Sequence, residues 1–202
     1  MEPTVLFRDF EERDIDFVYK CKNDEKLNSM IVGQFKPFSR EDAEKWVHGC
    51  MGEHDNFKYW AICTNDEEKR ILGWAAIAQI DRVNKSVFTH SIVINDSDYN
   101  DGYAWIESVL HMFSYSFDTL GMNRVWGQSI VGHPMSGRIG RLLFMTNEGT
   151  MRQASYKNGC FVDLQIDAIL REEYYSHRDA GDYNIMKIIH RLREILKEEK
   201  NK

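Results

Sequence analysis

Ser86-Val87-Phe88-Thr89-His90-Ser91-Ile92-Val93-Ile94, followed by the polar Asn95–Asp101 and then by Gly102-Tyr103-Ala104, is the stretch that decides the fold. Its first part has the β-branched and aromatic content of a strand. Beyond Gly102 the apolar spacing changes to the helical period. Ile106, Val109, Leu110, Phe113, Phe117 and Leu120 mark one face of a long helix, and Gly121 stands where a C-cap glycine belongs. A strand therefore runs through a glycine-bearing turn straight into a helix.

Upstream, Tyr59–Thr64 and Ile71–Ile80 flank the polar Asn65–Arg70, the pattern of an antiparallel hairpin, and Asp81–Lys85 turns the chain into Ser86–Ile94. Val5–Phe7 reads as a first strand. Asp14 is placed to cap a helix that carries Ile15, Val18 and Tyr19 on one face and ends near Asn23. Lys26–Phe38, broken by Gly33 and Pro37, reads as a loop. Ser39 and Asp42 form a capping-box pattern for a second helix striped by Ala43, Trp46, Val47 and Cys50. Downstream, Arg124–Ile130 is a strand, His133–Leu143 a short helix, and Gly149–Tyr156 with Cys160–Leu170 a closing hairpin.

This order predicts an α+β fold: a central, mostly antiparallel twisted sheet of about seven strands flanked by helices. Residues 1–176 are expected to form one domain and 177–202 an added C-terminal helical extension. In that extension Ile185, Ile188, Ile189, Leu192 and Ile195 make an amphipathic helix. Periodicity leaves open whether it packs on the domain or on a partner, so a homodimer stays open.

The composition is that of an ordinary globular protein, with 43% apolar and 29% charged residues in a chain of 202. A formal net charge of −6 argues against sequence-independent nucleic-acid binding, which needs many cations on phosphates. Met1–Phe10 is charged and reads as no signal peptide, and no apolar run is long enough to span a bilayer. Cys21, Cys50, Cys63 and Cys160 have neither paired nor metal-ligand spacing and read as reduced thiols of a cytoplasmic protein.

Several short motifs fall on this order. Asn23-Asp24 follows the first helix, and Ser39 through Trp46 opens the second. Leu120-Gly121-Met122-Asn123-Arg124-Val125 leads into the strand after the central helix. Glu148-Gly149-Thr150-Met151-Arg152-Gln153, Lys157-Asn158-Gly159 and Leu170-Arg171-Glu172-Glu173-Tyr174 mark the closing hairpin. Together, over roughly Val5 to Tyr174, they resemble the GNAT superfamily of acetyl-CoA-dependent N-acetyltransferases. The branch they resemble holds ribosomal-protein N-terminal, spermidine and amino-sugar acetyltransferases. The resemblance implies a GNAT-like fold and transfer of an acetyl group from acetyl-CoA, as co-substrate, to a primary amine of a small molecule, amino sugar or peptide N-terminus.

It also implies where the coenzyme lies. Backbone groups of Ile92, Val93 and Ile94 can pair with the amide-rich pantetheine arm. The turn at Asn100, Asp101, Gly102, Tyr103 and Ala104 points N–H groups and a positive helix end at the diphosphate. The family's turn usually reads Arg or Gln, two residues, Gly, one residue, Gly or Ala. Here it is one residue short, Asn100 replaces the Arg or Gln, and Asp101 occupies a glycine position. An Asp beside a diphosphate is unfavourable unless it faces away as a helix cap. The other reading of this loop is a capped helix start.

Amine acetylation needs a neutral amine, a polarised thioester carbonyl and a proton for the departing thiolate. The resemblance implies a backbone N–H near Val93 for the carbonyl, a Glu base on the strand after the central helix, and a Tyr acid on the next helix. Those positions hold Gln128, which accepts no proton at neutral pH, and Gly140. Ser136, with His133 also near the coenzyme in place of the family's Asn, is left as a candidate partner of the coenzyme sulfur and proton donor. A first-turn serine satisfying local backbone groups is the alternative. His90 has the pKa of a base near neutrality, while alternation puts it on a face with Phe88 and Ile92, the setting of a packed histidine. His111 falls at the margin of its helix's apolar stripe. Phe35, Phe38 and Trp46, with Gln128, are candidates for the acceptor wall; core packing explains the aromatics almost as well. The rival class is a non-catalytic acyl-CoA-binding or interaction protein on the same fold, which the absent Glu and Tyr, the shortened turn and the added helix would suit.

Overall fold

The computed structural model describes residues 3–29, 31–99, 102–133 and 136–200, with the backbone alone at 136, 137 and 200. Strand β1 (Val5–Arg8) leads through a 3-10 turn at Glu12–Asp14 into α1 (Ile15–Lys22). Asp14 does not cap α1 with its side chain, contrary to the expectation from sequence. It is 1% exposed, and its carboxylate accepts from both Arg8 guanidinium ends at 2.7 and 2.8 Å and from the Glu11 N–H at 2.9 Å. A carboxylate buried that deeply needs a paired cation, and the Arg8 pairing takes its lone pairs.

The expected loop after α1 contains one extra turn of helix, α2 (Glu25–Asn28), capped by Asp24, whose Oδ1 accepts from the Leu27 N–H at 2.9 Å. Helix α3 (Arg40–Cys50) begins at the capping box read from sequence: Asp42 N–H donates to Ser39 Oγ at 3.1 Å and Ser39 N–H to Asp42 Oδ2 at 3.0 Å. Then come β2 (Phe57–Thr64), β3 (Ile71–Asp81) and β4 (Ser86–Ile94). A 3-10 turn at Ser97–Tyr99 precedes α4 (Tyr103–Ser114), which continues as a π-helical turn at Tyr115–Thr119 rather than as regular α-helix. The chain ends with β5 (Arg124–Ile130), α5 (Ser136–Leu142), β6 (Thr146–Lys157), β7 (Cys160–Leu170), α6 (Arg171–Asp179) and α7 (Ile185–Lys200).

The strands form one seven-stranded sheet in the order β1-β2-β3-β4-β5-β7-β6. Every pairing is antiparallel except β4 with β5. Helices α1 and α3 cover one face, burying Val18, Ala43 and Val47 against Ala61, Cys63 and Trp74. The other face carries α4 and its π-helical continuation, whose Ile106, Val109, Phe113 and Phe117 bury against Ile62, Leu72 and Ile77. Helix α7 joins this second core through Ile188 and Ile195, both essentially buried. Arg191 holds it there by donating to the Leu142 carbonyl and lying 3.9 Å from the Phe144 ring centre.

Two irregularities in the central strands shape the site. The β4–β5 register runs through Ser86–Arg124, Val87–Val125 and Phe88–Trp126 and stops, so beyond Phe88 the strands part. Gly127 sits at the parting point, where a Cβ would come within 2.6 Å of Thr89 Oγ1. That hydroxyl donates to the Trp126 carbonyl at 3.1 Å and so bridges the two strands where they divide. On its other edge β4 carries a bulge: Ala76 pairs with Ser91 and Ile77 with Thr89, leaving His90 unmatched. The extra residue reverses the alternation. His90 turns toward Tyr59 and Phe88, with ring centres 6.1 and 6.0 Å away, while Ile92 packs into the α4 core. His90 and Ile92 therefore do not share a face, contrary to simple alternation.

Candidate active site

The gap between β4 and β5 opens on backbone. Asn95 N–H donates to the Leu72 carbonyl at 2.9 Å. Alternation of the antiparallel ladder then directs the N–H of Val93 into β3 and those of Ile92 and Ile94 toward the gap. The donors near Val93 that face the gap are thus its two neighbours. At the far end of the gap, Gly102 caps α4 with φ of +90°, a conformation that favours glycine, and it offers no side-chain acceptor to the first turn. Ala104 is fully buried in that turn, and Tyr103 is half-buried. A backbone edge leading to a glycine-capped helix N-terminus fits an extended amide chain that ends in a diphosphate. Asn100 and Asp101 lie outside the described residues. Asp96, the first acid of the connection, is paired with Arg70 at 2.6 Å, which holds its carboxyl below the usual range.

On the α1–α3 face, beside the bulge, lies a cleft of about 300 Å³ lined by Lys45, Trp46, Gly49, Cys50, Phe57, Tyr59, Ala78 and His90. Trp46 stands edge-on to Tyr59 at 5.3 Å and against Trp74 at 5.4 Å. His90 is open to the cleft, yet neighbouring groups strip water from it and the Lys22 ammonium repels its proton, so its pKa falls below the ordinary 6.5. The imidazole is therefore neutral at pH 7 and able to accept a proton. Burial pushes the Cys50 thiol up to about 12, which leaves no thiolate in the cleft. A wider, open depression of about 580 Å³ at Asp55, Asn56 and residues 79–82 lies at the opposite end of β3 from the gap.

The structure brings His90 and Trp46 together in the cleft. Phe38 stands behind them, its backbone N–H and carbonyl both held by the Asn23 side chain at 2.9 Å. Phe35 is half-buried in the same loop and is not among the lining residues. Gln128 lies on β5, two residues beyond Trp126 and so on the same face. His133, which follows β5, is half-buried, and burial lowers its pKa. Ser136 is the first residue of α5, and its side chain is outside the described set. One turn on, Gly140 faces the buried Asp167, to whose carboxylate a Cβ would come within 3.3 Å.

Three residues escaped the sequence reading. Tyr59 supplies a wall of the cleft. Lys157, at the tip of the β6–β7 hairpin, donates to the carbonyls of Asn28 at 3.0 Å, Gly33 at 2.9 Å and Ile31, and so holds the loop that follows α2. Lys22 sets its ammonium over the rings of Trp46, Trp74 and Phe38, at 4.6, 5.2 and 5.8 Å from their centres. The signal for Lys22 was present: it continues the stripe of Ile15 and Val18, where an apolar residue is expected. Nothing local marks Lys157, because its partners lie more than a hundred residues away.

A sheet split between two parallel strands, with a bulge on one of them and a glycine-capped helix beyond, is the frame of the candidate site. The chain belongs to the family described as the acetyltransferase (GNAT) domain, whose pattern matches residues 4–143. Acetyltransferases of this family take their acetyl group from acetyl-CoA. An uncharacterized N-acetyltransferase, YoaA, of Bacillus subtilis (strain 168) is 21% identical over 170 residues, covering 83% of this chain and 93% of its own. Among solved structures, the spermidine N-acetyltransferase of Vibrio cholerae in complex with CoA and spermine superimposes with a TM-score of 0.74 at 18% identity, over 85% of this chain and 98% of that one. A GNAT-family acetyltransferase of Bacillus anthracis does so with 0.71 at 22%, over 86% and 98%. These structural likenesses establish the shared fold. Among the described residues, no helix is long and apolar enough to cross a membrane.

Proposed function

We propose that this chain acetylates the primary amine of a small molecule bound in the His90 cleft, with acetyl-CoA held in the gap between β4 and β5. The observation that carries this reading is the bulge. It sets a neutral imidazole into an aromatic cleft at the point where β4 leaves β5. Acetyl-CoA supplies an activated thioester; the chain's own groups do the rest. The N–H groups of Ile92 and Ile94 receive the carbonyl oxygen in the gap, where a fixed donor stabilises developing negative charge. Trp46 and Tyr59 hold the acceptor, and such positioning accounts for much of the acceleration when both reactants are held close. His90 accepts the proton that the amine nitrogen gives up, directly or through one water. Ser136, at the start of α5, is the group assigned to the departing thiolate, which takes up a proton from solvent there while His90 releases the amine's proton to solvent. The Gly102 turn, with Tyr103 and Ala104, takes the diphosphate.

The test is a thiol-release assay with acetyl-CoA and a panel of primary amines across pH. The acidic limb of kcat/KM is expected below pH 6.5, because His90 titrates below its ordinary value, and His90→Ala removes that limb while slowing turnover about 100-fold. Full turnover in both His90→Ala and Ser136→Ala would sink these assignments while leaving the family intact. Acetyl-CoA binding without release by any amine would mark an acyl-CoA-binding protein on the same fold.

A further inference from the structure

Lys22 places a cation where no carboxylate among the described residues balances it. Its ammonium sits among three rings, which restore part of the interaction lost with water. Desolvation lowers its pKa, and the groups that oppose this are the thiols of Cys50 and Cys21, with no carboxylate among them. Burial pushes both thiols up, to about 12 and about 11, so they stay neutral. A desolvated ammonium without an anion is a costly arrangement. The adjoining cleft has the same bias: its ionisable lining groups are Lys45, Cys50, Tyr59 and His90, with no Asp or Glu. The field of Lys22 reaches into that cleft, since it helps to depress His90.

We infer that the acceptor is a small amine that also carries an anionic group, a carboxylate or a phosphate, and that Lys22 determines this specificity by receiving it. The inference rests on the acetyltransferase reading of the His90 cleft. An anion beside Trp46 supplies the counter-charge that Lys22 lacks and gains a charge-assisted hydrogen bond. A polycation such as spermidine meets the opposite: a positive wall, with no carboxylate to receive its second ammonium. The same positive charge favours the neutral form of the acceptor amine, which is the form that attacks the thioester.

The experiment compares kcat/KM for matched acceptors in the acetyl-CoA thiol-release assay. Glucosamine 6-phosphate against glucosamine reads the phosphate, glycine against glycinamide reads the carboxylate, and spermidine is the polycation arm. Melting temperature with each acceptor is measured in parallel as a readout independent of turnover. In the native chain at least one anionic member is expected to exceed its neutral counterpart about tenfold or more, with spermidine behind both. Lys22→Met, which keeps the stem in the ring cage, collapses that ratio at least about tenfold, and Lys22→Arg preserves it. Lys22→Gln repeats the charge removal should the Met variant not fold. A native preference for spermidine or for the neutral members, or a ratio unchanged in Lys22→Met and Lys22→Gln, overturns the inference and leaves the acetyltransferase reading standing. Anion-selective stabilisation that disappears in Lys22→Met, without thiol release from any acceptor, does the reverse.

Discussion

Replacing His111 by Phe should flatten the acid side of the stability profile. His111 lies on α4 against β1 and β2, its ring stacked on Phe7 at 4.0 Å and edge-on to Trp60 at 4.9 Å. Its Nε2 is buried without a hydrogen-bond partner among the described residues. Desolvation lowers its pKa from 6.5 to about 4, with no charged group among the described residues acting on it. The native state therefore stays neutral where the unfolded chain takes up a proton. Stability from this group is intact above pH 6.5 and is lost as pH falls toward 4. The full difference is about 3 kcal/mol, from about 1.4 kcal/mol per pKa unit, and about 2 kcal/mol of it is gone by pH 5. Urea unfolding followed by tryptophan fluorescence between pH 8 and 4.5 measures it. His111→Phe keeps the stacked ring and should gain about 2 kcal/mol on the native chain between pH 7.5 and 5. Carboxylates titrate alike in both proteins, so they cancel in the difference. Parallel profiles across that range would show that His111 is hydrated or partnered, contrary to its burial.

Two further substitutions probe the site's frame. Gly127→Ala puts a methyl 2.6 Å from Thr89 Oγ1, at an expected cost of about 1–3 kcal/mol for overpacking and with weakened acetyl-CoA binding; Thr89→Ala in the same chain should recover most of both in urea unfolding and calorimetry, and failure to recover would place the strain elsewhere. Lys157→Met removes three carbonyl contacts, one at the last residue of α2 and two in the loop after it. It should raise KM for the acceptor several-fold while leaving KM for acetyl-CoA unchanged, and an equal rise in both would mean that the hairpin supports the whole sheet and not the loop.

The fold was legible where local pattern and burial agree. Ser86–Ile94 and Arg124–Ile130 match their strands residue for residue, and the Ser39–Asp42 capping box opens α3 as read. The family's motifs, spread from Asn23 to Tyr174, led to the same architecture that the sheet order displays. Local rules failed where long-range partners decide. Asp14 has the sequence signature of a cap, but Arg8 claims it across a buried turn. Helix α6 begins directly at the end of β7, with the Glu173 carboxylate accepting from the Leu170 N–H at 2.9 Å, so no loop announces it. The bulge at His90 depends on its register with Ala76 and Ile77, which a single strand's alternation does not contain. Of the proposed acceptor wall, Trp46 was legible as an aromatic beside a long loop. Lys22 and Tyr59 were not singled out, because each looked like an ordinary member of its own element.

Release of free thiol when the protein is mixed with acetyl-CoA and a panel of small primary amines, read against N-acetylated product, tests the chemistry of the divided sheet most directly. Thiol should appear only with an amine present, in step with the product, and the signal should fall in Gly127→Ala, where the strands no longer part cleanly. Acetyl-CoA that neither binds nor releases thiol with any amine would contradict the placement of an acetyl-transfer site between β4 and β5.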